Sequence, residues 1–169
     1  MKRKIKWVYK SLLVKIGIES LNKGDIVEGT VKNIEPFGAF IELKDGLVGL
    51  LYIEDISVAR IKTPSERLTI GEKINVVVKN VDRNLNRVNF SYKEMLGTWE
   101  ENVEDLQEGM IVPGIIRETE KNKRGIFIEL KPNLVGMAEY SDGFEYGEHI
   151  NAYIKKIVKD KKKIKLVIK

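Results

Sequence analysis

Apolar and polar residues alternate in short runs along most of this chain, the period-two pattern of strands that bury one face. In the first half the runs fall at Ile26 to Val31, Ala39 to Leu43, Leu47 to Tyr52, Ile74 to Val81 and Val88 to Tyr92, with glycines or charged residues between them. Five strands are predicted there. Between the third and fourth, Thr63-Pro64-Ser65-Glu66 sets a hydroxyl before a proline and a carboxylate three residues on, which predicts a short capped helix.

The same pattern returns downstream. Residues 23–31 (KGDIVEGTV) match 108–116 (EGMIVPGII), 38–51 (GAFIELKDGLVGLL) match 125–138 (GIFIELKPNLVGMA), and 70–81 (IGEKINVVVKNV) match 146–157 (YGEHINAYIKKI). Two homologous modules therefore lie in tandem, and the second is trimmed at the helix, because Glu139 to Gly147 replaces the longer Tyr52 to Gly71. Five short strands with a helix between the third and fourth is the layout of a small Greek-key barrel of the OB type. The expected fold is all-β: two tandem five-stranded OB-type barrels, over residues 21–96 and 97–169.

A third copy of the closing element stands at the N-terminus, where KIKWVYK (residues 4–10) aligns with RVNFSYK (87–93) and KIKLVIK (163–169). Alternate apolar positions line one face in each: Ile5, Trp7 and Tyr9; Val88, Phe90 and Tyr92; Ile164, Leu166 and Ile168. The first copy also suits an amphipathic helix through Ile5, Tyr9, Leu12 and Ile16. Residues 1–20 read as a basic remnant of a preceding module, and the stop directly after the closing strand suggests a piece of a longer array.

Composition narrows the classes. Of 169 residues, 43% are apolar and 33% charged, which excludes a disordered chain. The absence of cysteine removes disulfides, thiolate metal sites and thiol nucleophiles. No apolar run has the length of a membrane span, so no membrane partner and a cytoplasmic location are expected. The net charge of +5 sits wholly in the first twenty residues, where Lys2, Arg3, Lys4, Lys6, Lys10 and Lys15 face Glu19. The rest balances, so any basic footprint beyond that must be assembled by folding. Catalysis is not expected. The lone histidine, His149, aligns with Lys73 at a strand start without a metal-ligating or nucleophilic companion, and no phosphate loop is present. No cofactor and no metal are expected.

The stretches G-D-I-V-E-G-T-V-K-N-I-E-P-F-G-A-F-I-E-L, G-L-V-G-L-L-Y-I-E-D-I-S, I-G-E-K-I-N-V-V-V-K-N-V-D and R-V-N-F-S-Y-K follow one another almost without gaps over residues 21 to 96. In that order they resemble the RNA-binding domain named after bacterial ribosomal protein S1. The second module resembles the same domain at scaffold positions alone. The resemblance implies a non-catalytic binder of single-stranded RNA acting in translation or RNA metabolism, with the ribosome or other RNA-associated proteins as further partners. A protein-docking module and the accessory RNA-binding part of a ribonuclease are the alternatives.

The family's RNA-facing positions fall on Phe37, Phe40, Tyr52, Asp82 and Arg87. Aromatic faces that stack on bases and cations that hold phosphates are what single-stranded RNA requires. Phe37 and Phe40 are three apart, so Gly38 is expected to bend the strand and present both, with the core filled by Ile26, Val31, Ile41, Val48, Val76 and Phe90. Tyr52 stands where the family usually has histidine; it keeps a stacking face but carries no positive charge. Asp82 and Arg87 read either as a turn ion pair or as an aspartate orienting an arginine toward RNA, with Lys32 and Arg83 adding to a basic edge. In the second module Arg124, Glu139 and Val158 replace Phe37, Tyr52 and Asp82, and Phe127 remains of the platform. Arg117, Lys121, Lys123, Arg124 and the run Lys161 to Lys163 are left to track a backbone, although protein docking or spacing is the expected role of that module.

Overall fold

The structure, a computed structural model, describes residues 17–120, 122 and 124–169. The reading of Ile5, Trp7 and Tyr9 as a strand or helix, and the candidates Lys121 and Lys123, lie outside the described residues. Two compact units emerge, one reaching Ile56 and resuming over Lys62–Met95, the other made of Ser57–Ile61 and Leu96–Lys169.

The first barrel is built from β1 (Ile26–Glu35), β2 (Gly38–Glu42), β3 (Val48–Tyr52), β4 (Lys73–Asp82) and β5 (Arg87–Ser91). It closes in the order β1-β2-β3-β5-β4, with β3 and β5 parallel and every other pair antiparallel. The second repeats this with β6 (Ile111–Glu120), β7 (Gly125–Lys131), β8 (Leu134–Glu139), β9 (His149–Val158) and β10 (Lys163–Ile168). Closure leaves no unpaired edge in either barrel. Among the described residues no helix is long and apolar enough to cross a membrane.

Strand alternation sorts the side chains. Val31, Ile41, Leu51, Val76, Val78 and Phe90 are fully enclosed in the first barrel, and Ile116, Ile126, Ile128, Ile154 and Leu134 in the second. Two expected core positions fall elsewhere. Ile26 is 63% exposed and Val48 half-buried. Ile26 has the opposite parity to Val31, so one regular strand cannot turn both inward.

The expected helix is a single 3-10 turn, Pro64–Glu66. The Thr63 hydroxyl accepts from Ser65 N (3.3 Å), while the Glu66 carboxylate accepts from Lys62 N (3.2 Å), one residue earlier than a capping box requires. The second barrel has no helical element between β8 and β9 among the described residues; Tyr140 and Phe144, partly buried, pack against its core there. The segment between the modules is ordered by its own local chemistry, which repeat matching does not register. Thr98 and Glu101 form a complete capping box for a short helix, Trp99–Val103, which drives Val103 into the second core.

Candidate nucleic-acid interface

Barrel closure determines which side chains stand in a line on the outside. Following the register across the first barrel, Asn33 pairs with Phe40, Phe40 with Leu50, Leu50 with Asn89 and Asn89 with Asn80. Phe40, Leu50 and Asn89 face outward, because their strand neighbours Ala39, Ile41, Leu51, Val88 and Phe90 face the core, and Asn33 and Asn80 are exposed beside bulges in their strands. This uncharged band carries one aromatic ring.

Two further aromatics join it at one end. Tyr52, 37% exposed, lies opposite Gly38, diagonal to Phe40. Phe37, 48% exposed, sits edge-on to Phe40 with ring centroids 6.2 Å apart. The expected bend at Gly38 is not how both rings are presented. Phe37 occupies the turn between β1 and β2, outside the strand, and is therefore free of the alternation that separates residues three apart. Gly38 instead permits close approach: a Cβ there would stand 2.3 Å from the Leu51 carbonyl oxygen. Ile53 N donates to the Phe37 carbonyl (2.9 Å), which fixes the turn against the end of β3.

At the other end of the band the candidates separate. Asp82 and Arg87 are cross-strand partners, but the Asp82 carboxylate accepts from Asn84 N and Leu85 N, both at 3.0 Å, and so closes the β4–β5 turn. Arg87 is exposed, with no ion-pair partner among the described residues. Arg83 donates to the Leu21 carbonyl (2.7 Å), and Lys32 pairs with Glu42 (3.1 Å) with both side chains substantially exposed. The basic edge expected around Asp82 thus reduces to Arg87 and a loosely held Lys32.

A cation that the sequence does not single out lies beside the band. Lys79 is the extra residue of a β-bulge between Val78 and Asn80, and its ammonium grips both oxygens of the buried Asp55 at 2.9 and 2.8 Å. Lys93 approaches the same carboxylate at 3.9 Å. The hydrogen bond to Asp55 raises the Lys79 pKa above its ordinary 10.5, against the opposing effect of desolvation. A raised folded-state pKa means that the stabilisation is complete below about pH 10.5 and is lost as pH rises through the higher folded value. Lys79→Met should therefore be destabilised relative to the parent at neutral pH, and the gap between their unfolding free energies should narrow above that pH. A gap independent of pH would show that the ammonium contributes nothing.

In the second barrel the corresponding band reads Glu118, Phe127, Met137, Lys165 and Lys156. Phe127 is half-buried on this outer face, Met137 is 43% exposed and both lysines are exposed. Arg124 occupies the place of Phe37 and its carbonyl accepts from Tyr140 N (3.1 Å), as the Phe37 carbonyl accepts from Ile53 N. Glu139 is exposed at the place of Tyr52, and Lys163 holds the place of Arg87 opposite Val158. Arg117 is not available to a ligand: it is 7% exposed, lies 3.3 Å from the buried Glu129 and donates to the Tyr146 hydroxyl. Lys162 pairs with Glu100 at 3.4 Å. Among the described residues no group of three or more histidine or carboxylate side chains is placed to hold a metal ion.

The family model described as the S1 RNA binding domain matches residues 20–93. The small ribosomal subunit protein bS1 of Staphylococcus saprophyticus is 33% identical over 126 residues, covering 74% of this chain and 31% of that protein. The bS1 of Staphylococcus aureus strain COL is 29% identical over 164 residues, covering 90% of this chain and 41% of that protein. The chain thus spans well under half the length of these relatives. Among solved structures, that of GSP13 from Bacillus subtilis is similar with a TM-score of 0.45 at 21% identity, covering 53% of this chain and 75% of that one.

Proposed function

Residues 20–93 belong to the S1 RNA-binding domain family, and on that premise we propose that the chain binds single-stranded RNA without catalysis, through the outer band of its first barrel. The observation that carries this reading is the cluster of Phe37, Phe40 and Tyr52, two exposed rings and the half-buried Phe40 on one side of a closed barrel beside Leu50 and Asn89. Rings at such a surface have no folding role that requires exposure, and they offer base-stacking faces to an unpaired strand. Arg87 supplies the phosphate contact, Lys32 a weaker one, and Asp82 acts indirectly by holding the turn that presents Arg87. Residues 21–96 are the principal RNA-binding module, and residues 97–169 a second module on the same scaffold.

The curated relatives are ribosomal proteins, which supports a role in translation, in the cytoplasm, with the ribosome or another RNA-associated protein as a further partner. A short single-stranded RNA titrated into the whole chain at two salt concentrations tests the reading. Binding should weaken steeply with salt, whereas docking of an apolar protein partner need not. Salt-insensitive binding would transfer the aromatic cluster to a protein ligand. Arg87→Ala should lower affinity and flatten the salt slope by about 0.7, the value for one single-strand phosphate contact. An unchanged slope would leave Arg87 a structural residue.

A further inference from the structure

We propose that the second barrel holds RNA phosphates in a cationic pocket of its own, built around a lysine that the first barrel keeps neutralised. In both barrels the same bulge in the fourth strand pushes one lysine outward: Lys79 between Val78 and Asn80, and Lys155 between Ile154 and Lys156. Lys79 is clamped by both oxygens of Asp55. Lys155 is exposed and has no ion-pair partner among the described residues. The residue at the place of Asp55 is Asp142, which is exposed and accepts instead from the Tyr140 hydroxyl (2.8 Å). With the shorter loop between β8 and β9, the aspartate at this place is engaged by Tyr140 and Lys155 is left open.

The Lys155 ammonium does not stand alone. An open cavity of about 480 Å³ on the second unit is lined by Lys155, Lys165 and Arg124, with Glu139 as the one carboxylate in its lining. Met137, Tyr140 and Phe144 supply apolar walls. Neither Lys165 nor Arg124 has an ion-pair partner among the described residues. Three cations against one carboxylate form a local positive field in a module whose sequence counts as charge-balanced, and such a field attracts phosphate. Arg124 adds a conformational signal. Its φ of 51° lies in the left-handed region, which a non-glycine residue adopts at a cost, and the carbonyl held by Tyr140 N fixes it at the pocket rim. The pocket also continues the outer band, because Lys165 and Met137 belong to both. A strand crossing Phe127 therefore has its phosphates led into the cavity.

The ligand is the phosphodiester backbone of single-stranded RNA, and the inference rests on the reading that the chain binds RNA. The two barrels then differ in emphasis, since the first stacks bases on an uncharged band with Arg87 as its main phosphate contact, and the second chiefly neutralises phosphate. The test uses the full chain and a fluorescein-labelled oligouridylate over a range of salt. Lys155→Ala/Lys165→Ala should lower affinity about tenfold and flatten the salt slope by about 1.4, two contacts at 0.7 each. Lys23→Ala/Lys73→Ala removes the same charge from exposed sites off the band and should change affinity less than about twofold. Arg124→Gly removes charge while glycine accepts the left-handed backbone, so its fold is kept and its affinity should fall. Phe40→Ala, by contrast, should lower affinity with the slope unchanged. A slope unaltered in the Lys155/Lys165 variant would overturn the pocket, as would an equal loss in the Lys23/Lys73 control. Displacement of the oligomer by an equal concentration of uridine monophosphate would overturn it in favour of a free-nucleotide site. Failure of Phe40→Ala to act, with the lysine variant still defective, would overturn the first-barrel site and support this one.

Discussion

Phe40→Ala lowers the affinity of the whole chain for a short single-stranded RNA by about 1 to 3 kcal/mol, roughly 5- to 150-fold, because one stacked base loses its platform. Phe40 stands in the middle of the outer band, between Asn33 and Leu50, and its ring supports Phe37 edge-on. The substitution therefore weakens two rings at once. It leaves the barrel interior intact, since Ala39 and Ile41 on either side are the residues that face the core. The unfolding midpoint should shift little. Phe40→Leu separates stacking from bulk: it preserves most of the apolar area and should still lose most of the affinity. Retention of affinity by leucine would show that the surface offers apolar contact and not a stacking face.

Phe90→Ala has the opposite signature. Phe90 is fully enclosed and its ring edge lies 2.3 Å from where a Cβ on Gly49 would stand, so the ring fills the space that this glycine leaves inside the β3–β5 pair. Truncating an enclosed phenylalanine costs about 3 to 5 kcal/mol through lost burial and the cavity left behind. A domain with the usual stability of about 5 to 15 kcal/mol then keeps a small remainder. The loss is read as a fall in the urea midpoint and in hydrogen-exchange protection at Val31 and Ile41, whose side chains share that core. RNA affinity, measured where the variant is still folded, should change far less than in Phe40→Ala. A Phe90→Ala protein as stable as its parent would mean that the core closes without that ring.

The two phenylalanines show how much of the site is legible in the sequence. Both lie in apolar runs of period two, and parity alone assigns Phe90 inward with Val88 and Phe40 outward from Ile41. Parity also explains why Ile26 is not a core residue: hydrophobicity groups it with Val31, but five positions separate them and an odd spacing turns one of the two outward. The β1–β2 turn escapes this rule because Phe37 is not in a strand, and Gly38 serves there to clear a carbonyl on the neighbouring strand, where spacing suggests a bend. The capping box at Thr98 and Glu101 is readable from spacing but lies in a stretch that the repeat leaves as a connector.

Charge is the property least accessible to the sequence. Arg117 and Arg83 look like free cations and are engaged, the first with Glu129 and Tyr146, the second with the Leu21 carbonyl. Lys79 and Lys155 look alike as sequence, and one is clamped while the other is open. The sequence by itself determined the strands, their repetition, the five-stranded barrels and the inward or outward face of most residues within regular stretches of strand, because alternation is set by the backbone one residue at a time. The tertiary structure alone decided which outward residues form a line across strands, and which cations remain available to a phosphate. Those depend on register and barrel closure, and on carboxylates brought from 12 or 24 positions away, as Glu129 is to Arg117 and Asp55 to Lys79. No pattern along the chain encodes that juxtaposition.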